Sequence, residues 1–139
     1  MARSSLESFS SLWRAYGEGR LDESLDLVDP ECEITLLAGG ATLRGHEGVR
    51  DALAAAWREW KTLRIVYDDV YEDHPGCVVG SGHLAASAPH GAHVDRPIAF
   101  VAEFRDERLY RARVFAALED AVGAARELRH ARQRESLDR

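Results

Sequence analysis

The chain lacks the features that mark membrane proteins and general nucleic-acid-binding proteins. None of its apolar runs approaches the roughly 20 residues that a helix needs to cross a bilayer. Its 24 aspartates and glutamates outnumber its 18 lysines and arginines, and the net charge of −6 argues against general binding to a phosphate backbone. The N-terminal residues lack the apolar core of a secretory signal. We therefore expect a cytoplasmic protein with neither a membrane nor a nucleic acid as its partner.

Cysteine is also scarce, and nothing in the sequence has the spacing of a metal site. The two cysteines, Cys32 and Cys77, each fall within a predicted strand, so we expect buried free thiols. The group His90, His93 and Asp95 superficially resembles a ligand set. It lies in a glycine-containing loop without a second ligand cluster, and we interpret it as ordinary loop polarity. We expect no metal and no other cofactor.

The length and composition fit one globular domain. With 139 residues, 45% of them hydrophobic and 30% charged, the chain can bury one core and has no room for a second domain. We expect a single domain over residues 1–139 with its core at about 5–128. Residues 129–139 are rich in arginine, and we interpret them as a charged, solvated helix end.

The periodicity of the apolar residues predicts helices first and strands afterwards. Spacings of three and four indicate four helices, the first over residues 4–16 and the last over residues 118–132. Alternation predicts strands at 32–37, from 63 onwards, and at 77–87, 97–104 and 109–116. Four long strands in succession without an intervening helix are typical of an α+β fold. We expect an antiparallel sheet with the helices on one of its faces.

Several local strings resemble those of a known family. They are WRAYGEG at 13–19, DPECE at 29–33, RGHEGVR at 44–50 and FRDERL at the start of 104–115. These strings and the order of the elements resemble the SnoaL-like polyketide cyclases of the nuclear transport factor two-like superfamily, which also includes ketosteroid isomerases. The resemblance covers roughly residues 5–128.

The resemblance implies a curved antiparallel sheet that forms a cone-shaped barrel, with helices packed on its concave face around an apolar cavity. It also implies a homodimer in many members. The superfamily contains cyclases, isomerases, dehydratases and epoxide hydrolases as well as members without catalysis, so the fold leaves the function open. One hypothesis is an acid/base cyclase or isomerase acting on a polycyclic or terpenoid-like substrate. The other is a non-catalytic module for ligand binding or dimerisation.

Three residues are the candidates for catalysis. The cyclases that the chain resembles use an aspartate as acid and base near a histidine in the cavity. Here His83 lies within one predicted strand and Asp95 near the start of the next, so a hairpin could bring them together. Tyr16 would act as a hydrogen-bond donor opposite this pair. The register is open, and a structural role for His83 is the plain alternative.

The predicted inward faces carry aromatic and small side chains that could form a pocket for a small apolar ligand. Packing alone would explain many of the aromatic residues. A partly filled cone would leave space between them and the small residues on the facing strands. The candidate pocket residues are Trp13, Tyr16, Trp57, Phe100, Ala102 and Ala112.

Arginines on the opposite sheet face are the basis for expecting a homodimer. Arg111 and Arg113 alternate with inward residues, and Phe115 follows them on the same face. An apolar ring on that face needs cover, which a second copy of the chain would supply. The plain alternative is a solvated charged face.

Overall fold

The computed structural model describes residues 4–17, 20–36, 41–59 and 62–137. It contains the helices α1 Ser5–Gly17, α2 Leu21–Asp26, α3 Gly45–Glu59 and α4 Leu118–Leu137. The strands are β1 Val28–Thr35, β2 Thr42–Arg44, β3 Thr62–His74, β4 Cys77–Ser87, β5 His93–Arg105 and β6 Arg108–Phe115. Among these residues no helix has the length and apolar character needed to span a membrane.

The strands form one curved sheet in the order β2-β1-β6-β5-β4-β3, and its two edges do not close into a complete barrel. Four of its five pairings are antiparallel, and β1 runs parallel to β6. Strands β3 to β6 follow one another without a helix between them, as the alternation predicted. The α+β class and the curved sheet are therefore confirmed.

The two faces of the sheet carry separate cores. In β5, Phe100 and Ala102 pack with α1, and we call this face the inner face. The alternate residues Ala99 and Val101 pack with Ala121 and other residues of α4 on the opposite, outer face. Because β5 is apolar on both faces over this stretch, helices cover it on both sides.

The position of α4 corrects one expectation from the sequence. The helices were expected on the concave face, but α4 packs on the outer face. The helix also continues to Leu137, beyond the predicted end at residue 132, and most of its described residues after Arg129 are exposed. Within it, Arg129 binds the Asp73 carboxylate at 3.2 Å and Arg132 donates to the carbonyl oxygen of Pro75. These contacts attach the end of α4 to the turn between β3 and β4.

Two glycines of β4 allow the sheet to curve tightly over the inner face. A Cβ at Gly80 would lie 2.2 Å from Cε1 of Phe100, so only glycine leaves room for that ring. A Cβ at Gly82 would lie 1.9 Å from the carbonyl oxygen of Val66 in β3. The β3–β4 register also shifts between Tyr67 and Asp69. Glycines beside a bulge are typical of strands that bend or approach each other closely.

Both cysteines are fully buried free thiols, as the sequence predicted. Burial, followed by the charges of Asp73 and Glu103, raises the pKa of the Cys77 thiol from 9.0 to about 12. Burial also raises the pKa of Cys32. The folded protein therefore keeps both thiols protonated in a range where an unfolded chain releases the protons.

We expect neither thiol to react with a chromogenic thiol reagent in native buffer at pH 8, and both to react in denaturant, because the reactive form is an exposed thiolate. The pKa of Cys77 is higher in the folded protein than in the unfolded chain. The free energy of unfolding should therefore not depend on this thiol below pH 9. It should fall as the pH rises from about 9 to about 12. Thiol counting and melting curves across this range measure both effects. Stoichiometric reaction of the native protein within seconds would contradict the burial of the two side chains.

Candidate functional site

A cavity of about 670 Å³ lies between the inner face of the sheet and the helices α1 to α3. Its volume is in the range of sites that hold small organic ligands. Its described lining is almost entirely apolar. The aliphatic part comes from all the layers around it and comprises Leu12, Leu25, Val28, Ile34, Leu36, Leu43, Val49, Ala52, Ile65, Leu84, Val94, Pro97, Ile98, Ala102, Leu109, Ala112 and Val114.

Aromatic rings form one continuous wall of the cavity. On α1, the rings of Trp13 and Tyr16 stack with centroids 5.1 Å apart. Tyr67 of β3 lies against Trp13 at 4.9 Å and meets Phe100 of β5 edge to face at 4.7 Å. Phe9 stacks on Phe100 with the ring centroids 4.9 Å apart and completes the cluster. Such contacts hold the rings in fixed positions, so the wall is formed before any ligand arrives.

Small residues on the inner face leave space beside the aromatic wall. Ala102 of β5 and Ala112 of β6 are paired in register, and both line the cavity. The structure places Trp13, Tyr16, Phe100, Ala102 and Ala112 in the lining, where the sequence predicted a pocket. The side chain of the sixth candidate, Trp57, lies outside the described residues.

Two tyrosine hydroxyl groups belong to the lining. Burial raises the pKa of Tyr16. Burial also raises the pKa of Tyr67 far above its usual value, and the neighbouring Tyr16 adds to the shift. Both phenols are therefore neutral near pH 7, where each can donate a hydrogen bond to an oxygen of a ligand. Neither is available as a base in that range.

His83 and Asp95 lie on the outer face, which corrects the expectation that they face the cavity. His83 Nδ1 is 3.9 Å from an oxygen of Asp95, and its Nε2 is 3.9 Å from Asp68. The side chains of His83 and Asp95 are 63% and 78% exposed. The hairpin places the two residues on adjacent strands, but β4 and β5 point both side chains away from the cavity. Proton transfer to a ligand inside it is out of their reach.

The remaining histidines likewise give no sign of a metal centre. Among the residues that the structure describes, no three His, Cys, Asp or Glu side chains are grouped so that they could hold a metal ion. The imidazole of His46 instead forms a hydrogen bond of 2.6 Å with the carbonyl oxygen of Val28. This contact ties the start of α3 to β1, on the helical side of the cavity.

The model of the SnoaL-like domain family matches residues 9–112, three quarters of the chain, and the match includes the aromatic wall and both alanines. The chain belongs to this family. No curated protein matches it.

Solved structures show the same fold as this SnoaL-like domain. An NTF2-like protein from Burkholderia thailandensis has a TM-score of 0.75 at 19% identity, over 88% of this chain and 97% of its own. A protein from Jannaschia sp. CCS1 that is named a SnoaL-like polyketide cyclase scores 0.67 at 17% identity, over 84% and 90%. TerC, crystallised with polyporic acid, scores 0.72 at 18% identity, over 89% and 96%. At sequence identities of 17–19%, the structural similarity to these proteins shows the fold alone.

Tyr67 and Arg96 are two lining residues of the SnoaL-like domain with polar groups that were not predicted as site residues. Tyr67 alternates with outward residues, so its inward face could be read from the sequence, and only its role in the wall was overlooked. Arg96 was not assigned to either face because the predicted strand began at Pro97. The structure extends β5 back to His93, which places Arg96 on the inner face two residues before Ile98.

Proposed function

We propose that this SnoaL-like domain binds a small and largely apolar molecule in the cavity between its sheet and its first three helices. The observation that carries the proposal is the aromatic wall of Phe9, Trp13, Tyr16, Tyr67 and Phe100, which lines a cavity of about 670 Å³ together with small and aliphatic residues. Burying apolar ligand surface there is worth about 25 cal/mol per Å² before the costs of association.

A flat, cyclic molecule of the polycyclic or terpenoid type suits this lining best. Ring systems can lie against the aromatic wall, where offset stacking adds to the area that is buried. The hydroxyls of Tyr16 and Tyr67 can donate to one or two oxygens of such a ligand. TerC was crystallised with polyporic acid, but the class of ligand proposed here is inferred from the lining of this chain.

Binding is favoured over acid/base catalysis because of where the ionisable groups lie. A cyclase or isomerase of this kind needs a base next to the carbon that loses its proton. The expected pair His83–Asp95 is on the outer face, and the ionisable side chains of the described lining are Tyr16, Tyr67 and Arg96. These groups are proton donors or cations near pH 7, which supports recognition of a ligand rather than proton abstraction.

Trp13→Ala should weaken binding of the neutral dye N-phenylnaphthylamine about tenfold, because it removes the ring that contacts both Tyr16 and Tyr67 in the wall. The dye is a suitable probe since it is apolar, aromatic and small enough for the cavity. Fluorescence titration gives its affinity, and a melting curve verifies that the variant is folded at the temperature of the titration.

His83→Ala is the matched control, since it truncates an aromatic side chain on the outer face of the same sheet. It should leave the affinity for the dye unchanged. Saturable binding that is lost in His83→Ala and kept in Trp13→Ala would overturn the proposed site. Absence of saturable binding to the wild-type chain would count against the proposed function itself.

The homodimer and the cytoplasmic location stay predictions. The structure gives Phe115 cover from within the chain, because its ring packs with the cluster beneath α4 and lies under the Arg113 guanidinium. Pairing of two copies would therefore use the exposed part of the outer face, where Arg111 and Arg113 of β6 lie beside Glu33 of β1. Because arginines and a glutamate lie on the same patch, the patch can be complementary to the same patch of a second copy related by a twofold axis.

A further inference from the structure

Arg96 stands out in the cavity because it is a cation in an otherwise apolar lining. Its strand neighbours on the inner face are Val94 and Ile98, and its register partner on β4 is Leu84. All three line the same cavity. Among the described lining residues, Arg96 carries the one charged side chain. An arginine is costly to place against apolar surface unless its guanidinium reaches water or a partner.

Arg96 lies at the open end of the cavity. The last pair between β5 and β6 is Ala99 with Phe115, so Arg96 lies three residues beyond the end of β6. The exposed lining residues are Leu36, Arg96 and Pro97, and we call these three the mouth. The deep end is closed by buried side chains such as Phe100 and Leu109. The guanidinium can thus remain hydrated at the mouth while its stem lies along the cavity.

No carboxylate of the described chain neutralises this cation. The adjacent Asp95 points to the outer face, where it lies beside His83. The ion pairs in the described residues use other arginines, and no acidic side chain belongs to the described lining. A guanidinium presents a planar fork of donors that matches the two oxygens of a carboxylate, sulfonate or similar anion.

We propose that the ligand is amphipathic: its apolar ring system fills the cavity and an anionic group at one end is held by Arg96 at the mouth. This inference rests on the proposed function and narrows it from apolar molecules in general to apolar organic acids. The arrangement also fixes the orientation of the ligand. The charged end stays in the wet, exposed part of the site, and the uncharged end reaches the aromatic wall.

A pair of dyes that differ by one charged group tests this inference. Anilinonaphthalene sulfonate carries an anionic sulfonate, and N-phenylnaphthylamine has the same ring skeleton without it. The wild-type chain should bind the sulfonate dye more tightly than the neutral dye. This difference in affinity should shrink as salt is added, because the contact between the sulfonate and Arg96 is exposed and therefore screened.

Arg96→Gln should weaken binding of the sulfonate about fivefold, the loss expected for one exposed charge pair, and leave the neutral dye unaffected. Arg64→Gln is the matched control. Arg64 lies on the outer face of β3, next to the inward Ile65, so the variant makes the same change in net charge away from the cavity. It should change neither affinity.

Each other outcome overturns a different part of the proposal. Equal loss of sulfonate binding in both variants would show an effect of net charge alone and overturn the role of Arg96. An unchanged sulfonate affinity in Arg96→Gln, with the neutral dye still bound, would overturn the anionic ligand and leave the proposed function intact. Failure of the wild-type chain to bind either dye would overturn both proposals. Melting curves establish that the variants are folded.

Discussion

Gly82→Ala should lower the free energy of unfolding by about 3 kcal/mol, which corresponds to a fall in Tm of about 10 °C for a chain of this size. The added Cβ would lie 1.9 Å from the carbonyl oxygen of Val66 and 2.7 Å from Cα of Tyr67. Both are backbone atoms, which cannot rotate away as a side chain can. Strand β3 would have to move off β4, at the cost of hydrogen bonds between the two strands.

Gly123→Ala is the control for this prediction, because it is the same chemical change in open space. A Cβ at Gly123 would have no atom within 4 Å, and the residue lies inside α4. Alanine is the better helix former by about 1 kcal/mol, so this variant should be more stable than the wild-type chain. Thermal melts followed by circular dichroism measure both. If Gly82→Ala melted within one degree of the wild-type protein, the close approach of β3 to β4 would be refuted.

Ala112→Phe should weaken binding of N-phenylnaphthylamine by at least tenfold while the chain still folds. Ala112 faces the cavity from β6, and the added ring would extend into the cavity beside the aromatic wall. The cavity would lose part of its volume, and the dye and the new ring would compete for the same surface. Fluorescence titration and a melting curve, carried out side by side, separate lost binding from lost stability.

Ala85→Phe supplies the comparison, since Ala85 is exposed on the outer face of β4 and pairs with Arg64 and Asp95. The same ring is added to the same sheet, but outside the cavity, so the affinity for the dye should be retained. Equal affinities in the two phenylalanine variants would show that the dye binds somewhere else.

Local periodicity was sufficient to predict most of the architecture. Alternation in the sequence predicted β3 to β6, since it follows directly from the geometry of a strand. Strand β2, Thr42–Arg44, was missed because three residues are too few to show a period. It forms through pairing with β1, where Ile34 lies opposite Leu43. That pairing joins residues across a loop, and the three residues of β2 alone do not show it.

The face of β4 was harder to predict than its existence. Two of the inward positions near His83 are Gly80 and Gly82, which have no side chains, so Leu84 gives the apolar signal there almost alone. With so weak a signal, a shift of one residue in the predicted register moves His83 from one face to the other. The sequence predicted that His83 and Asp95 lie on neighbouring strands, and the structure brings them to 3.9 Å. Their side of the sheet was wrong, and their separation is longer than a hydrogen bond.

The candidate pocket was easier to predict than the candidate chemistry for a physical reason. Pocket residues such as Trp13 and Ala102 belong to apolar stripes whose direction follows from periodicity alone. The position of Arg96 depended on where β5 begins, and Pro97 suggested a start that was four residues too late. Proline is tolerated inside this strand, where it lies opposite His83 near the end of the sheet.

The most direct test of the account is to locate a bound probe by nuclear magnetic resonance. Isotope-filtered nuclear Overhauser spectra of the 15.5 kDa chain with N-phenylnaphthylamine would show which methyl groups the dye touches. We expect contacts from the dye to the methyl groups of Ile98, Ala102 and Ala112, which face the cavity, and none to Ala85 on the outer face. Contacts to Ala85 without any to Ala102 and Ala112 would contradict a ligand-binding cavity on the inner face.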